Sequence, residues 1–363
     1  MKVYMSQINN KNHTMLMKRY IFIAVAVAGI FTSCKKDEPP TPSSSTTTLP
    51  TLTQGAGAII INEGNFQSGN ATVSYFKYSD ASVIADLFQP ANNRPLGDIG
   101  QSMKVINGKG YVVVNNSGKI EVVSMTDFKS TATISGLTSP RFMEAVTATK
   151  AYVTDLMSNS LTILNLQNNT VSGSVNIGHT SEAIAVVGSK AFVGGFGSDK
   201  LYVINTATDA LEDSIAVAFG TNSMVVDGAG KLWVMCGGNY FTSAPGGLFR
   251  IDPTTNTVEQ SFPMTTSDSP SKLSKNAAGD TLYYLNYSVY KMSTASAALP
   301  TSVFIDGSAN SFYGLAVHPT SGEIYVTDAV DYVQQGKLLR YNAAGTLMNN
   351  VTVGIIPGYI HFY

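Results

Sequence analysis

The sequence predicts an all-β fold, a seven-bladed β-propeller closed by its C-terminal strand. Three observations predict it. First, an aromatic or aliphatic pair followed by small or polar residues recurs about every 41 residues. It reads Tyr111-Val112-Val113-Val114, Tyr152-Val153-Thr154-Asp155, Phe192-Val193-Gly194-Gly195, Trp233-Val234-Met235-Cys236, Tyr283-Tyr284-Leu285-Asn286 and Tyr325-Val326-Thr327-Asp328, with a looser copy at Ile59-Ile60-Ile61-Asn62. Second, another short apolar phrase follows about nine residues later in several copies, as in Leu161-Thr162-Ile163-Leu164-Asn165 and Leu201-Tyr202-Val203-Ile204-Asn205. A period in this range built from short strands marks propeller blades. Third, charged residues are only 13% and glycines number 32, a composition of short strands and many turns rather than of long helices.

The elements follow in order. Residues 1–33 read as an export signal, with Lys18 and Arg19 ahead of the apolar run Ile21 to Phe31. That run is too short to span a bilayer. The polar stretch before it is untypical, and Met17 is an alternative start. Thr32-Ser33-Cys34 resembles a bacterial lipobox, with Phe31 where a Leu is usual. The resemblance implies cleavage before Cys34 and acylation of Cys34, an anchor of two or more chains that would hold stably. Residues 34–54 are then the lipidated Cys and a linker whose Pro, Ser and Thr cannot pack a core. Lys36-Asp37-Glu38 is similar to a surface-export signal of some Gram-negative bacteria, and reads equally as a solvated charge cluster. The expected location is the outer membrane, at the cell surface.

Residues 55–363 are the propeller. The third blade shows the pattern: strands at 141–146, 150–154, 161–166 and 170–177, separated by turn residues such as Ser158-Asn159 and Gln167-Asn168-Asn169. The first blade lacks an inner strand ahead of it, and Pro357 to Phe362 is left over after the last. The spare segment resembles the inner-strand start Ser139-Pro140-Arg141-Phe142. It should therefore pair beside 59–62 and close the ring, removing the open edges.

Net charge is −1, so nothing favours nucleic acid or an anionic membrane surface; contact with a membrane would run through the lipid alone. With Cys34 acylated, Cys236 has no disulfide partner, and its place at a strand end reads as a buried structural thiol. No catalytic set, metal site or cofactor motif is evident. His179, His318 and His361 fall in different blades; His318 reads as a turn residue and His361 as a candidate for the channel. Gly194-Gly195-Phe196-Gly197 lies between two strands and reads as a tight turn, not a phosphate loop.

In a propeller, the loops from fourth to first strands and from second to third strands emerge on one face. Inner strands there begin near Gln101, Arg141, Glu182, Asn222, Lys272, Tyr313 and Tyr359. Two loops on that face are long, at 237–247 and 329–336. They place Asn239, Tyr240 and Phe241, and then Tyr332, beside one another in sequence. Aromatics supply contact area and amides supply direction. The expected ligand-binding residues are Arg141, Asn239, Tyr240, Phe241, Lys272 and Tyr332. Packing of the same aromatics between blades is the alternative.

Asn62-Glu63-Gly64-Asn65-Phe66 and Asn70-Ala71-Thr72-Val73-Ser74-Tyr75-Phe76, with the later Tyr-Val-x-Asp phrases, resemble a family of surface-layer-like, YncE-type propeller lipoproteins of Gram-negative bacteria. The expected role is a binding protein rather than an enzyme, because the chain offers few of the clustered carboxylates and His that such an enzyme would need. Some members capture corrinoids and pass them to an outer-membrane transporter. The resemblance therefore implies a corrinoid and such a transporter as candidate partners, while the loop face itself suits a glycan or other small molecule. A scaffold for protein interactions and a lactonase- or lyase-type enzyme are the competing readings. Fold alone does not choose among them.

Overall fold

The computed structural model describes residue 49 and residues 51–363. The signal, the lipidated Cys34 and most of the linker read from the sequence lie outside the described residues. Leu49–Tyr363 forms one compact unit.

Among the described residues, twenty-seven strands make seven sheets. The first two hold β1 (Gly57–Asn62), β2 (Thr72–Lys77) and β3 (Val83–Ile84), then β4 (Gly100–Ile106), β5 (Lys109–Val114), β6 (Lys119–Ser124) and β7 (Ser130–Ser135). The third holds β8 (Pro140–Ala145), β9 (Lys150–Asp155), β10 (Ser160–Asn165) and β11 (Thr170–Asn176), and the fourth β12 (Ser181–Val187), β13 (Lys190–Gly195), β14 (Lys200–Asn205) and β15 (Ala210–Ala216). The fifth holds β16 (Thr221–Val226), β17 (Leu232–Cys236), β18 (Gly247–Asp252) and β19 (Thr257–Pro263). The sixth holds β20 (Ser271–Lys275), β21 (Thr281–Asn286) and β22 (Ser288–Ser293). The seventh holds β23 (Phe312–Val317), β24 (Ile324–Asp328), β25 (Gln335–Tyr341) and β26 (Leu347–Ile355), after which β27 (Pro357–Phe362) returns to the first. A short helix, α1 (Phe88–Asn92), sits between the first two blades and was not anticipated.

The C-terminal strand closes the ring as the sequence predicts. β27 pairs with β1, Ile360 opposite Ile60 and Phe362 opposite Ala58. The innermost strands then touch in unbroken succession, β27, β4, β8, β12, β16, β20, β23 and back to β27.

Each blade interface has its own core. Second strands are apolar at consecutive positions because both faces are buried, one against each neighbour. Tyr152 packs toward the fourth blade and Val153 toward the second. Trp233 faces the sixth blade while Val234 faces the fourth. This two-sided burial is what the recurring aromatic phrase encodes. Its last residue has a different task. Asp155 Oδ2 accepts from Ser139 N at 2.9 Å, Asp328 Oδ1 from Ser311 N at 2.9 Å, and Asn286 Oδ1 from Ser269 N at 2.9 Å. In these three blades the side chain ties down the loop leading into the inner strand.

The sixth blade departs from the expectation of four strands. After β22 the chain runs Thr294 to Ser302 with no alternation and with Pro300, which has no N–H to give a ladder. Beyond that segment the chain rejoins the sheet edge at a bridge between Val289 and Ile305. Cys236 is buried, as the sequence suggests, and burial pushes its thiol up to about 12. His318 is half-buried rather than free in its turn. Its Nδ1 accepts from Thr320 N and Ser321 N, and its ring packs against Phe362 at 4.9 Å.

Candidate functional site at the channel mouth

All seven innermost strands carry a β-bulge at the same place. Pairing of each with its second strand slips by one residue near the loop face, leaving Gln101, Arg141, Glu182, Asn222, Lys272, Tyr313 and Gly358 as the extra residues. A bulge releases a residue from the alternation and re-aims its side chain. Repeated around the ring, it sets seven side-chain positions in one circle at the channel mouth. The sequence reading took Tyr359 for the seventh position. The register shift puts Gly358 there instead, and Tyr359 resumes the ladder opposite Ile61.

The glycine matters because another residue uses its space. A Cβ on Gly358 would stand 2.6 Å from Glu63 Oε1. Glu63, from the loop between β1 and β2, thus supplies the seventh functional group. It was quoted in the family phrase but not among the expected site residues. The sequence shows an acid next to a strongly apolar strand, but only the register shift makes Gly358 a ring position without a side chain.

One side of the circle is internally paired. Arg141 Nε and Nη2 donate to Glu182 Oε2 and Oε1 at 2.8 and 2.6 Å, a bidentate fork. Arg141 Nη1 also donates to Gln101 Oε1. Arg141 and Glu182 are each 7% exposed. Around this pair the blades are stitched by hydroxyls: Ser102 Oγ donates to Arg141 O at 2.7 Å, and Thr154 Oγ1 to Glu182 O at 2.6 Å.

The other side is less committed. Tyr313 OH donates to Glu63 Oε1 at 2.9 Å, and Lys272 Nζ donates to Gly358 O at 3.0 Å while lying 5.4 Å from the Tyr313 ring centroid. No ion pair joins Glu63 to Lys272 among the described residues. Burial pushes the Glu63 carboxyl above the usual carboxylate range, against the pull of Lys272 and Arg141. Burial likewise holds the Lys272 ammonium below the usual lysine range, with Glu63 opposing it. Both groups nonetheless keep part of their surface accessible. Lys272 has φ +55, a left-handed conformation uncommon for a long side chain and fixed here by the bulge.

Tyr332 covers this side. Its ring meets Tyr313 edge-on at 5.7 Å, and its carbonyl accepts from Asn65 Nδ2 at 2.8 Å. Burial raises the Tyr332 phenol, and the nearby charge of Glu63 adds to it. Of the six expected binding residues, Lys272 and Tyr332 thus gather around Tyr313 and Glu63. Arg141 belongs to the same circle with its guanidinium spent on Glu182 and Gln101. Tyr240 and Phe241 stand apart, 62% and 55% exposed, touching each other edge-on at 5.9 Å. Asn239 shapes their loop: its Oδ1 accepts from Phe241 N at 2.9 Å.

That exposed pair is part of a wider pattern. The turns after second strands in the third to seventh blades each carry an exposed large apolar side chain: Met157, Phe196, Tyr240 with Phe241, Tyr287 and Val333. No set of three His, Cys, Asp or Glu side chains among the described residues is arranged to hold a metal ion. A surface cleft of about 340 Å³ opens at the opposite end of the ring, near Thr51, Tyr75 and Lys77. It has no part in this circle.

These features define a seven-bladed β-propeller with a polar circle at its loop face. Residues 56–359 match the model of a domain of unknown function, DUF5074, and the chain belongs to that family. No curated protein matches the sequence. Among solved structures it is similar to a quinonprotein alcohol dehydrogenase-like protein from Bacteroides thetaiotaomicron, with TM-score 0.68 and 14% identity over 85% of this chain and 78% of that one. It is also similar to the periplasmic gluconolactonase of Pseudomonas aeruginosa (TM-score 0.65, 14% identity, 84% and 98% covered). A functionally unknown protein from Desulfotomaculum acetoxidans gives TM-score 0.64 at 12% identity, with 84% and 98% covered. At such identities the likeness is one of fold.

Proposed function

We propose that this chain is a non-enzymatic binding protein that takes a small polar ligand at the channel mouth, over the side of the circle formed by Glu63, Lys272 and Tyr313 and beneath Tyr332. One observation carries the reading. An acid and an ammonium are set into a crowded ring, each short of its hydrogen-bonding capacity, and they are not paired with each other. Such groups are costly unless something completes them. A ligand with an acceptor for Lys272 and a donor for Glu63 would do so, with Tyr332 and Tyr313 giving flat contact area.

The sequence resemblance extends the proposal. A corrinoid, with its peripheral amides and its phosphate, is the ligand to test first. The setting would be a surface lipoprotein anchored at Cys34, working with an outer-membrane transporter. The chain enters the propeller at the end away from the loop face, where Leu52 N donates to Thr126 O at 2.8 Å. The exposed apolar turns of five successive blades favour a second reading, in which the same face docks a protein.

The test is a calorimetric and thermal-shift titration of the purified protein with cobalamin, cobinamide and haem. Binding that is weakened about tenfold or more by Lys272→Met and by Tyr332→Ala supports the proposal. Binding indifferent to both variants, or turnover of the bound compound, would overturn it. Acylation is read separately, by fatty-acid labelling of wild type against Cys34→Ala.

A further inference from the structure

We infer that the seam between the fifth and sixth blades holds a second binding site, for a neutral ring of monosaccharide size. The repeat itself points there. The second residue of the recurring phrase is Val112, Val153, Val193, Val234 and Val326 in five blades and Ile60 in another. The sixth blade has Tyr284. The position faces the preceding blade, where Val153 and Val234 are buried in the core of the seam. A tyrosine there drives a phenol up the seam toward the loop face.

Tyr284 is 2% exposed, and its hydroxyl makes no hydrogen bond among the described residues. It lines a cleft of about 280 Å³ at the top of that seam. Tyr290 lines the same cleft, its ring stacked on Tyr284 at 5.5 Å and 11°, and its hydroxyl is likewise without a partner there. The opposite side is apolar, made by Met264, Leu299 and Pro300. The last two belong to the irregular segment that replaces the missing fourth strand. The blade's departure from four strands and its departure from Val at 284 therefore meet in one place.

Asp268 completes the lining. Its oxygens are already oriented: Oδ2 accepts from Thr265 N and Thr265 Oγ1, each at 2.7 Å, and Oδ1 accepts from Asn286 Nδ2 at 2.7 Å, which leaves Oδ1 room for one further donor. It is the one charged side chain in the cleft, and no Lys or Arg lines it. An anion is disfavoured by that carboxylate. Two phenols that need acceptors, a carboxylate that takes donors and an apolar wall match a sugar, whose hydroxyls do both jobs and whose C–H face lies on the wall. None of these residues belongs to the channel circle, so the inference stands apart from the function proposed above.

The test is saturation-transfer NMR and calorimetry of the purified protein with methyl glycosides of glucose, galactose and N-acetylglucosamine, taken to about 20 mM, well above a millimolar Kd. At least one should bind. Tyr284→Phe removes a single oxygen and should weaken it about tenfold or more, because the sugar acceptor then loses its donor. Tyr284→Val, which restores the residue of the other blades, should abolish binding while the protein stays folded. Lys272→Met should leave it unchanged. No binding by wild type, or binding that Tyr284→Phe does not alter, overturns the inference and leaves the cleft as a water site.

Discussion

The two sides of the channel circle are built from the same backbone device and end in opposite states. Seven bulges at one height give seven equivalent positions. At Gln101, Arg141 and Glu182 the side chains satisfy one another in a closed, almost solvent-free array. At Lys272, Tyr313 and Gly358 the arrangement is different: the glycine admits Glu63, which accepts from Tyr313, while Lys272 donates to the Gly358 carbonyl and forms no ion pair with Glu63 among the described residues. The first side behaves as a fastener between blades. The second has the unspent capacity of a binding surface. Repeat architecture thus supplies the frame, and departures from the repeat supply the candidate chemistry.

The coarsest way to break the comparison is to open the ring that holds both sides. Deleting residues 357–363 takes away β27 and with it Gly358, opening the ring between the first and seventh blades. The expected loss is on the order of the whole folding free energy, about 5–15 kcal/mol. Circular dichroism should show no cooperative transition. A melt close to that of the intact protein would mean that the clasp contributes little.

Substitution within the circle sharpens the contrast. Arg141→Ala leaves Glu182 buried without its partner and should cost about 3–5 kcal/mol. Lys272→Met should cost less than about 1 kcal/mol, since its ammonium is already held below its ordinary range by burial and a thioether fits an apolar environment. Denaturant melts of the two variants decide it. Equal losses would make the two sides energetically alike and remove the distinction drawn above.

How much of this was legible in the sequence follows from the same contrast. The blades were readable because burial on both faces forces apolar runs at a fixed spacing, and the spare segment at 357–362 could only be the missing inner strand. The inner-strand starts, from Gln101 to Tyr313, were readable as a group. The bulges were not, because a one-residue slip is a property of two paired strands and leaves no mark on either alone. Gly358 and Glu63 were therefore out of reach as a pair: the role of the acid exists only because a strand 295 residues away offers no side chain, which makes Glu63 the seventh member. Arg141 looked like a ligand contact because sequence cannot show that Glu182, in the next blade, holds it in a fork.

Acid should probe the clasp more gently than deletion. His361 in β27 is held down to about 4, chiefly by burial and further by Lys104. Its folded pKa is below its unfolded value near 6.5, so the unfolded chain binds the extra proton between these limits. Stability is full above about pH 6.5 and falls as pH drops toward 4, by about 2–3 kcal/mol from this residue. Glu121 adds a later loss. Burial opposes its ionisation, but Arg94 and Lys119 outweigh that and hold it at about 2, so its contribution fades from about pH 4.5 downward. Melting His361→Gln and wild type from pH 7 to 4 should show the variant with the flatter profile. Parallel profiles would assign the acid sensitivity elsewhere.

The smallest expected effect on stability is the most informative about function. Tyr332 lies over the open side, touching Tyr313 edge-on, and its loop is held by Asn65 through a backbone carbonyl that a side-chain change leaves in place. Tyr332→Ala should therefore shift the melting point little while removing the flat surface above Glu63 and Lys272. With cobalamin as probe, affinity should fall by about 1–3 kcal/mol, the range of a truncated aromatic anchor. Tyr240→Ala separates the two parts of the loop face, because Tyr240 pairs edge-on with Phe241 and has no ring contact with the circle among the described residues. Were the ligand confined to the circle, Tyr240→Ala would leave its affinity unchanged. A comparable loss from Tyr240→Ala would extend the contact across the apolar turns, which is the footprint of a protein rather than of a small molecule.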